Sequence, residues 1–419
     1  MATQLQARET PETMPLEEID VSRAELYRDD AWRPWFARLR AEAPDHRCEN
    51  SLFGPYWSVC RHEDIMEVEA KPELFSSSHE HGGITIIDLF GEYNLPQFIA
   101  LDRPRHSDQR RVVAPAFKPA EMARLSGEIR QRTGEILDSL PVGETFDWVD
   151  RVSIELTTQM LAILFDFPWE DRRKLTLWSD WAGDIEAAAD PAKAPIRLQH
   201  LRDMLTYFDR LLAARKSSAP TSDLLTMMVH SEALGNLDDK ERMGNLVLLI
   251  VGGNDTTRNS MSGAVHAFHQ YPDQWRKLLD NPELVGPAVP EVVRWQTPLS
   301  HMRRTATADT QIAGHSIAKG DKIILWYLAA NHDDRVFEDA ERLIVDRPNA
   351  RRHLAFGFGI HRCVGARLAE LQLQILFEEM IARGMSVVVV GEPVYVAQCF
   401  VHGYRSLPVR IAGPSERPS

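Results

Sequence analysis

Four cysteines in 419 residues, at positions 48, 60, 363 and 399, are too few and too irregularly spaced for a disulfide framework. A reducing compartment is expected. No second cysteine lies two to four positions from Cys363, which argues against a zinc knuckle or a redox dithiol there. No apolar run approaches the roughly eighteen residues needed to span a bilayer, and Met1 to Pro15 has neither a basic start nor an apolar core. A cytoplasmic protein without a transmembrane anchor is therefore expected. Basic residues are also in deficit: the formal net charge is −13, which argues against nucleic acid as a partner. Internal repeats and low-complexity tracts are absent. Charge, proline and serine mark only residues 1–20 and 413–419 as candidates for disorder.

What is present centres on one cysteine. Phe356-Gly357-Phe358-Gly359-Ile360-His361-Arg362-Cys363-Val364-Gly365 is a glycine-rich loop. It runs into a stretch, Ala366 to Met380, whose apolar residues recur at helical spacing. Cys363 should thus lie just before a helix N-terminus, where free amides and the dipole favour an anion and pull a thiol toward thiolate. The three glycines permit turns and close approaches that a side chain would block. A thiolate is one of the known axial ligands of haem iron, and haem needs only one such ligand. Taken alone, Cys363 reads equally well as a buried structural cysteine beside a glycine turn.

Two further segments carry chemistry. Glu291 and Arg294, entered through Pro290, share one helix face at a spacing of three, where they can form a charge-assisted pair. A stretch from about Asp239 to Gln270 reads as one long helix closed by Tyr271-Pro272, with Gly252-Gly253-Asn254-Asp255-Thr256-Thr257 at its centre. Two adjacent glycines inside a helix cost about 1 kcal/mol each relative to alanine, so a local distortion is expected there. Without side chains at those positions, small molecules can approach the backbone beside the acid of Asp255 and the hydroxyl of Thr256. The alternative reading is tight helix packing with a threonine bonded back to a carbonyl.

The cysteine loop resembles the haem-binding signature of the cytochrome P450 family, Phe-Gly-x-Gly-x-His-x-Cys-x-Gly, at every fixed position. Glu291-Val292-Val293-Arg294 resembles the family's Glu-x-x-Arg helix, about seventy residues before the cysteine, and Gly252 to Thr256 resembles its oxygen-activation motif. The resemblance covers about residues 20 to 412 and implies one large domain over 21–412. The implied fold is mainly α with a small β lobe (α+β), a long central helix over haem b and the cysteine loop beneath it. It implies Cys363 as axial ligand of the iron, with Phe356, His106, Arg110, Arg304 and His361 as cofactor-binding residues. Thr256 and Asp255 are implied as catalytic, and Glu291, Arg294 and Arg347 as structural.

The rest of the chain reads mostly as helix, with helical periodicity in Phe117 to Leu140, Ser153 to Phe165 and His200 to Ala214. Tyr56 to Cys60 and the pair Thr310 to Ile317 and Lys322 to Ala329, joined by Ala318 to Asp321, are expected as strands; Ser386 to Val390 adds another. Ala330-Asn331-His332-Asp333-Asp334 departs from common family wording, which leaves the local turn open.

The implied activity is monooxygenation: one atom of dioxygen enters a C–H bond of a small apolar substrate. Wording beyond the general signature, such as Gly252 to Ser260 and Arg294-Trp295-Gln296-Thr297-Pro298, resembles the bacterial branch that hydroxylates the terminal methyl of medium-chain alkanes and fatty acids. Leu248, Val251, Gly252, Leu299 and Phe400 are expected in the substrate pocket; the apolar segment Ile84 to Ala100 suits a pocket wall and equally a buried loop core. The chain has no flavin or iron–sulfur segment, so a ferredoxin and a ferredoxin reductase are expected to supply electrons. A basic cluster of Arg351, Arg352, His353, Arg362 and Arg367, joined by Arg110 or Arg111, is the expected docking site, the alternative being haem propionate pairing plus solvated arginines. Terpenoid or steroid oxygenation is the alternative. A haem protein that binds a ligand without catalysis is the third, and Asp255 with Thr256 argue against it.

Overall fold

The longest helix begins where the sequence supplies a cap. The Asp238 side chain accepts a hydrogen bond from the Glu241 N–H, and Asp239 and Glu241 place negative charge in the first turn, where the helix dipole favours it. The helix runs Asp239–Gln270, 32 residues, and stops at Tyr271 before Pro272. The computed structural model describes residues 10–412. This helix passes through its centre and packs against Arg173–Gly183, Glu155–Phe165, Val285–Gln296 and Ala194–Arg215. Its N-terminal half contributes Leu246 and Ile250 to a core with Phe165, Trp178 and Phe208; its C-terminal half contributes Met261 and Val265 to a second core with Trp148, Trp275 and Phe377. Burying such side chains stabilises by about 1.5–3 kcal/mol each.

The other helices follow the apolar periodicity closely. They span Pro119–Asp138, Glu155–Phe165, Ala194–Arg215 and Ala366–Ala382; the last ends at Arg383-Gly384, with Gly384 in the left-handed region at φ 54°. The double glycine does not distort the central helix. Helical bonding continues through it, and the Thr256 hydroxyl donates to the Gly252 carbonyl at 2.9 Å.

The β lobe is a five-stranded sheet in the order Asp45–Cys48, Tyr56–Val59, Lys322–Leu325, Met302–Ala306 and Phe75–Ser76. Tyr56–Val59 and Lys322–Leu325 run parallel, with Trp57 opposite Ile323; the other pairs are antiparallel. One expected hairpin is not formed. Thr310 to Ile317 folds on itself as Thr310–Ile312 and His315–Ile317, because Ala313 and Gly314 both take positive φ and close a tight turn. Lys322–Leu325 is thereby free to enter the main sheet, and the chain turns helical at Tyr327–Ala330 instead of staying extended to Ala329.

The expectation of disorder through residue 20 is corrected from Thr10 onward. Met14 and Ile19 are buried in the core beside the sheet, and the buried Asp20 carboxylate accepts hydrogen bonds from Ser22 and from the Tyr56 hydroxyl at 2.9 Å. Residues 1–9 and 413–419 lie outside the described residues. Among the described residues, no helix is long and apolar enough to cross a membrane.

Glu291, Arg294 and Arg347 meet in the interior. Arg294 grips the Glu291 carboxylate with two hydrogen bonds of 2.7 and 2.9 Å, and Arg347 Nε reaches both carboxylate oxygens at 3.0 Å. The remaining guanidinium donors go to the carbonyls of Asn331, Glu338, Asp339, Ala340 and Arg342. Four chain segments are thus tied to one buried charge. Removing the carboxylate leaves two buried cations without a counter-charge, so Glu291→Ala is expected to cost about 3–5 kcal/mol in denaturant unfolding. A change within 1 kcal/mol would contradict the arrangement.

Three buried histidines, His266, His301 and His402, are pushed down to about 4 by burial. In the unfolded chain a histidine titrates near 6.5. Below that pH the unfolded chain binds protons that the native state refuses, so stability present above about 6.5 is lost as pH falls toward 4. Urea unfolding at stepped pH should show this decline, with a flat profile between pH 7 and 8; equal stability at pH 4.5 and 7.5 would contradict it.

Candidate active site

The loop that presents Cys363 is shaped by two left-handed glycines and one buried acid. Gly357 and Gly359 have φ of 66° and 64°, and a Cβ on Gly359 would lie 2.4 Å from the backbone oxygen of Glu69. The Glu69 carboxylate accepts from the Phe358 N–H at 2.7 Å, from the Tyr327 hydroxyl at 2.7 Å and from Arg304 at 2.8 Å. Burial pushes this carboxyl up, opposed by Arg304, Tyr327 and Phe358. The Cys363 N–H closes the loop on the Phe356 carbonyl at 2.8 Å. Helix Ala366–Ala382 follows, with Gly365 at its cap.

Cys363 faces a cavity inside the protein. The central helix lies across that cavity with Leu248, Val251, Gly252, Asp255 and Thr256 in its wall; Ile84, Ile87, Leu89, Leu95, Phe98 and Ile99 line another side, with Leu299 and Phe400. Phe356, His361, Arg110 and Arg304 border it near Cys363. The two central glycines serve different purposes. A Cβ on Gly252 would meet open space, whereas one on Gly253 would lie 2.7 Å from Leu161 Cδ2 and displace that side chain.

Burial shifts the titratable groups here. It pushes the Cys363 thiol up, opposed first by the Gly365 N–H and then by Arg110, Arg362 and the Ala366 N–H. The helix-end donors expected from the sequence are present and pull the thiol down while the surrounding protein pushes it up; the side chain itself is open to the cavity. A cation beside the sulfur would reverse that balance. Burial also pushes Asp255 up. Arg258 opposes it, and Asp180 pushes the same way as burial. Asp255 accepts from Ser179 at 2.8 Å and from Arg258 at 3.1 Å; Arg258 in turn reaches the half-exposed Asp180 at 2.9 Å. The chain of polar groups leads from the interior to the surface. His106 is pushed down to about 4, and burial holds His361 far below its ordinary range.

The family model described as cytochrome P450 matches residues 196–383. Linalool 8-monooxygenase of Pseudomonas putida is 38% identical over 380 residues, covering 88% of this chain and 92% of that protein. A methyl-branched lipid omega-hydroxylase of Mycobacterium tuberculosis is 31% identical over 431 residues, covering 98% of each. The solved structure of CYP153D17 from Sphingomonas sp. PAMC 26605 superposes with a TM-score of 0.90 at 58% identity, covering 94% of this chain and 99% of that one. This chain belongs to the cytochrome P450 family. The P450 is therefore a monooxygenase, and its cofactor is haem b.

The residues on the cavity wall fit that group. His106 Nδ1 and His361 Nδ1 are both buried without a hydrogen-bond partner among the described residues, and their rings lie 4.3 Å apart. Two orphan nitrogens beside Arg110 and Arg304 suit two carboxylates of a cofactor. The fixed polar groups on His361 and Arg110 are Ser77, at 2.9 Å from His361 Nε2, and the Arg362 carbonyl, which accepts from Arg110.

Some functional positions escaped the sequence. Glu69 sits at the end of His62–Glu69, where an acid reads as a solvated helix face. His301 is fully buried: it bonds to the Cys399 carbonyl through Nδ1 at 2.8 Å and accepts the Ile86 N–H at Nε2 at 3.3 Å, joining two walls of the cavity. Neither carries a sequence signal. His353 drops out of the expected basic cluster, since it is buried and pushed down to about 3. Arg111, Arg351, Arg352, Arg362 and Arg367 remain exposed.

Glu69→Ala leaves Arg304 and the Phe358 N–H unpaired, so the loop should hold haem poorly. The haem-to-protein ratio of the purified variant is expected to fall to below about half that of the wild type, with Glu69→Gln less affected. A full complement in Glu69→Ala would contradict this role.

Proposed function

We propose that this P450 hydroxylates the terminal methyl of medium-chain alkanes or fatty acids with electrons from a ferredoxin and its reductase. The observation that carries the reading is the cavity itself. Aliphatic and aromatic side chains from the Ile84 to Ala100 segment, the central helix, Leu299 and Phe400 surround the approach to Cys363. Such a wall gives an extended chain many dispersion contacts and offers its internal carbons no polar handle. Attack at a terminal methyl, whose C–H bond is stronger than an internal one, requires the chain to be held end-on. The name of the lipid omega-hydroxylase relative agrees with this reading. The linalool relative favours a second one, a terpenoid substrate in the same cavity.

Haem bound at Cys363 supplies reductive activation of dioxygen, from which one oxygen atom enters the substrate. Cys363 would hold the iron, and as thiolate would donate electron density to it. His106, Arg110, Arg304 and His361 would hold the propionates, with Phe356 at the start of the loop. Asp255, whose carboxyl burial raises, takes up protons from solvent and passes them to the cavity, while Arg258 orients it and ties it to the half-exposed Asp180. The Thr256 hydroxyl delivers them by turning from the Gly252 carbonyl, and the absent side chain of Gly252 leaves room for that turn. The apolar walls exclude water, which limits loss of reducing equivalents. The exposed arginines around the cysteine loop attract an acidic ferredoxin to the side of the loop away from the substrate.

Incubation with octane and dodecanoic acid in the presence of a ferredoxin system, followed by product analysis, tests the substrate reading: more than about half of the product should carry the terminal hydroxyl. Mainly internal hydroxylation, or turnover of linalool alone, would contradict it. Thr256→Ala should keep haem while product per electron pair falls several-fold and hydrogen peroxide rises. Unchanged coupling would remove Thr256 from proton delivery.

A further inference from the structure

Seven arginines are buried among the described residues, and six of them reach a carboxylate. Arg40, Arg258, Arg294, Arg303, Arg304 and Arg347 each lie within 4.0 Å of an acid. Arg197 is the seventh. It is only 6% exposed, forms no ion pair with a described residue, and lines the same cavity as Cys363 and Thr256.

Part of its guanidinium has a structural use. Nε donates to the Trp181 carbonyl at 3.0 Å and Nη2 to the Ala182 carbonyl at 2.9 Å, which satisfies the end of helix Arg173–Gly183. Nη1 is buried and has no partner. Asp184 is the acid nearest in charge effect, and its side chain is committed to the Ala187 N–H at 2.9 Å. Arg197 also stands in the first turn of Ala194–Arg215, where the helix dipole disfavours a cation and favours an anion beside it. A buried cation with a spare donor and no counter-charge is costly unless an anion completes it. A lysine would satisfy neither the two carbonyls nor a planar carboxylate as well as this fork does.

Around Arg197 the cavity wall is small and apolar, with Ala182, Gly183, Ile185 and Ala188. An anion that entered here would have to carry an apolar body to fit the remaining lining. We propose that Arg197 is the carboxylate-binding residue of the substrate cavity, and that the substrate class is therefore the medium-chain fatty acids, held head-first at Arg197 with the methyl end toward Cys363. The inference rests on the terminal-hydroxylase reading above and narrows it from alkanes or acids to acids. It also makes chain length a ruler: the distance from Arg197 to the reacting atom selects one range of acid lengths.

The test compares dodecanoate, methyl dodecanoate and dodecane on the wild-type holoenzyme and on Arg197→Leu and Arg197→Lys, reading affinity by calorimetry and by the ligand-induced Soret shift. For the wild type, dodecanoate should bind about 10-fold or more tightly than its methyl ester, as expected for a charge-assisted hydrogen bond in a dry site. Arg197→Leu should lose that margin while dodecane affinity stays within about twofold, and Arg197→Lys should keep part of it. Equal affinities for acid and ester in the wild type, a comparison that needs no variant to fold, would overturn the proposal. Equal losses for dodecanoate and dodecane in Arg197→Leu would overturn it too, while terminal hydroxylation could still stand on its product analysis. Acid-specific loss together with internal hydroxylation would instead keep Arg197 in this role and overturn the terminal reading.

Discussion

A single buried carboxylate, Glu69, holds the cysteine loop against the sheet. Its three hydrogen bonds join the end of helix His62–Glu69, strand residue Arg304, the Tyr327 hydroxyl and the loop backbone at Phe358. Desolvating a carboxylate is expensive, and here the expense is offset by a buried guanidinium, a phenol and an amide at 2.7–2.8 Å. The positive φ at Gly359 brings the loop so close to Glu69 that no side chain fits between them. Because the loop cannot move independently of the sheet, the sulfur of Cys363 is presented at a fixed place beneath the central helix. The cavity above it, the orphan nitrogens beside it and the helix-end donors behind it all take their positions from that contact.

The described residues otherwise satisfy most of their buried charges, which gives the exceptions meaning. Glu291 answers Arg294 and Arg347, Asp88 answers Arg303 and Lys322, and Asp255 answers Arg258. Other buried polar atoms, among them both His46 nitrogens and Arg258 Nε, also lack a partner among the described residues, but those of His106, His361 and Arg197 belong to residues in or beside one cavity. The first two fit the anionic edge of haem, and the third fits the head of an acidic substrate. A cavity that is apolar over most of its wall and cationic at a few points is suited to amphipathic occupants.

Much of this was legible in the sequence, and for identifiable reasons. Helical periodicity gave the bounds of Asp239–Gln270 and Ala366–Ala382, since a buried stripe must recur every three to four residues whatever the neighbours are. Cys363, His361, Glu291 and Arg294 stood out because their spacing is itself the signal. Glu69 and His301 did not, because each acts through partners distant in the chain: Glu69 bonds 289 residues away to Phe358, and His301 reaches back 215 residues to Ile86. Arg197 reads as one more helix arginine, since nothing local shows that the fold buries it without an acid. The hairpin error has a local cause, as an Ala-Gly pair with positive φ turned the chain within a stretch that reads as one strand. The amide donors near Cys363 were legible from the helix start, whereas the desolvation that opposes them depends on the whole fold.

The proposed chemistry depends on sulfur from Cys363 bonding the haem iron. The most direct measurement is the absorption spectrum of the reduced, carbon monoxide-treated holoenzyme, compared with Cys363→Ser purified with haem. The wild type should show the red-shifted Soret band of a thiolate ligand, and the variant should lack it. A red-shifted band that survives in Cys363→Ser would contradict the assignment of the ligand.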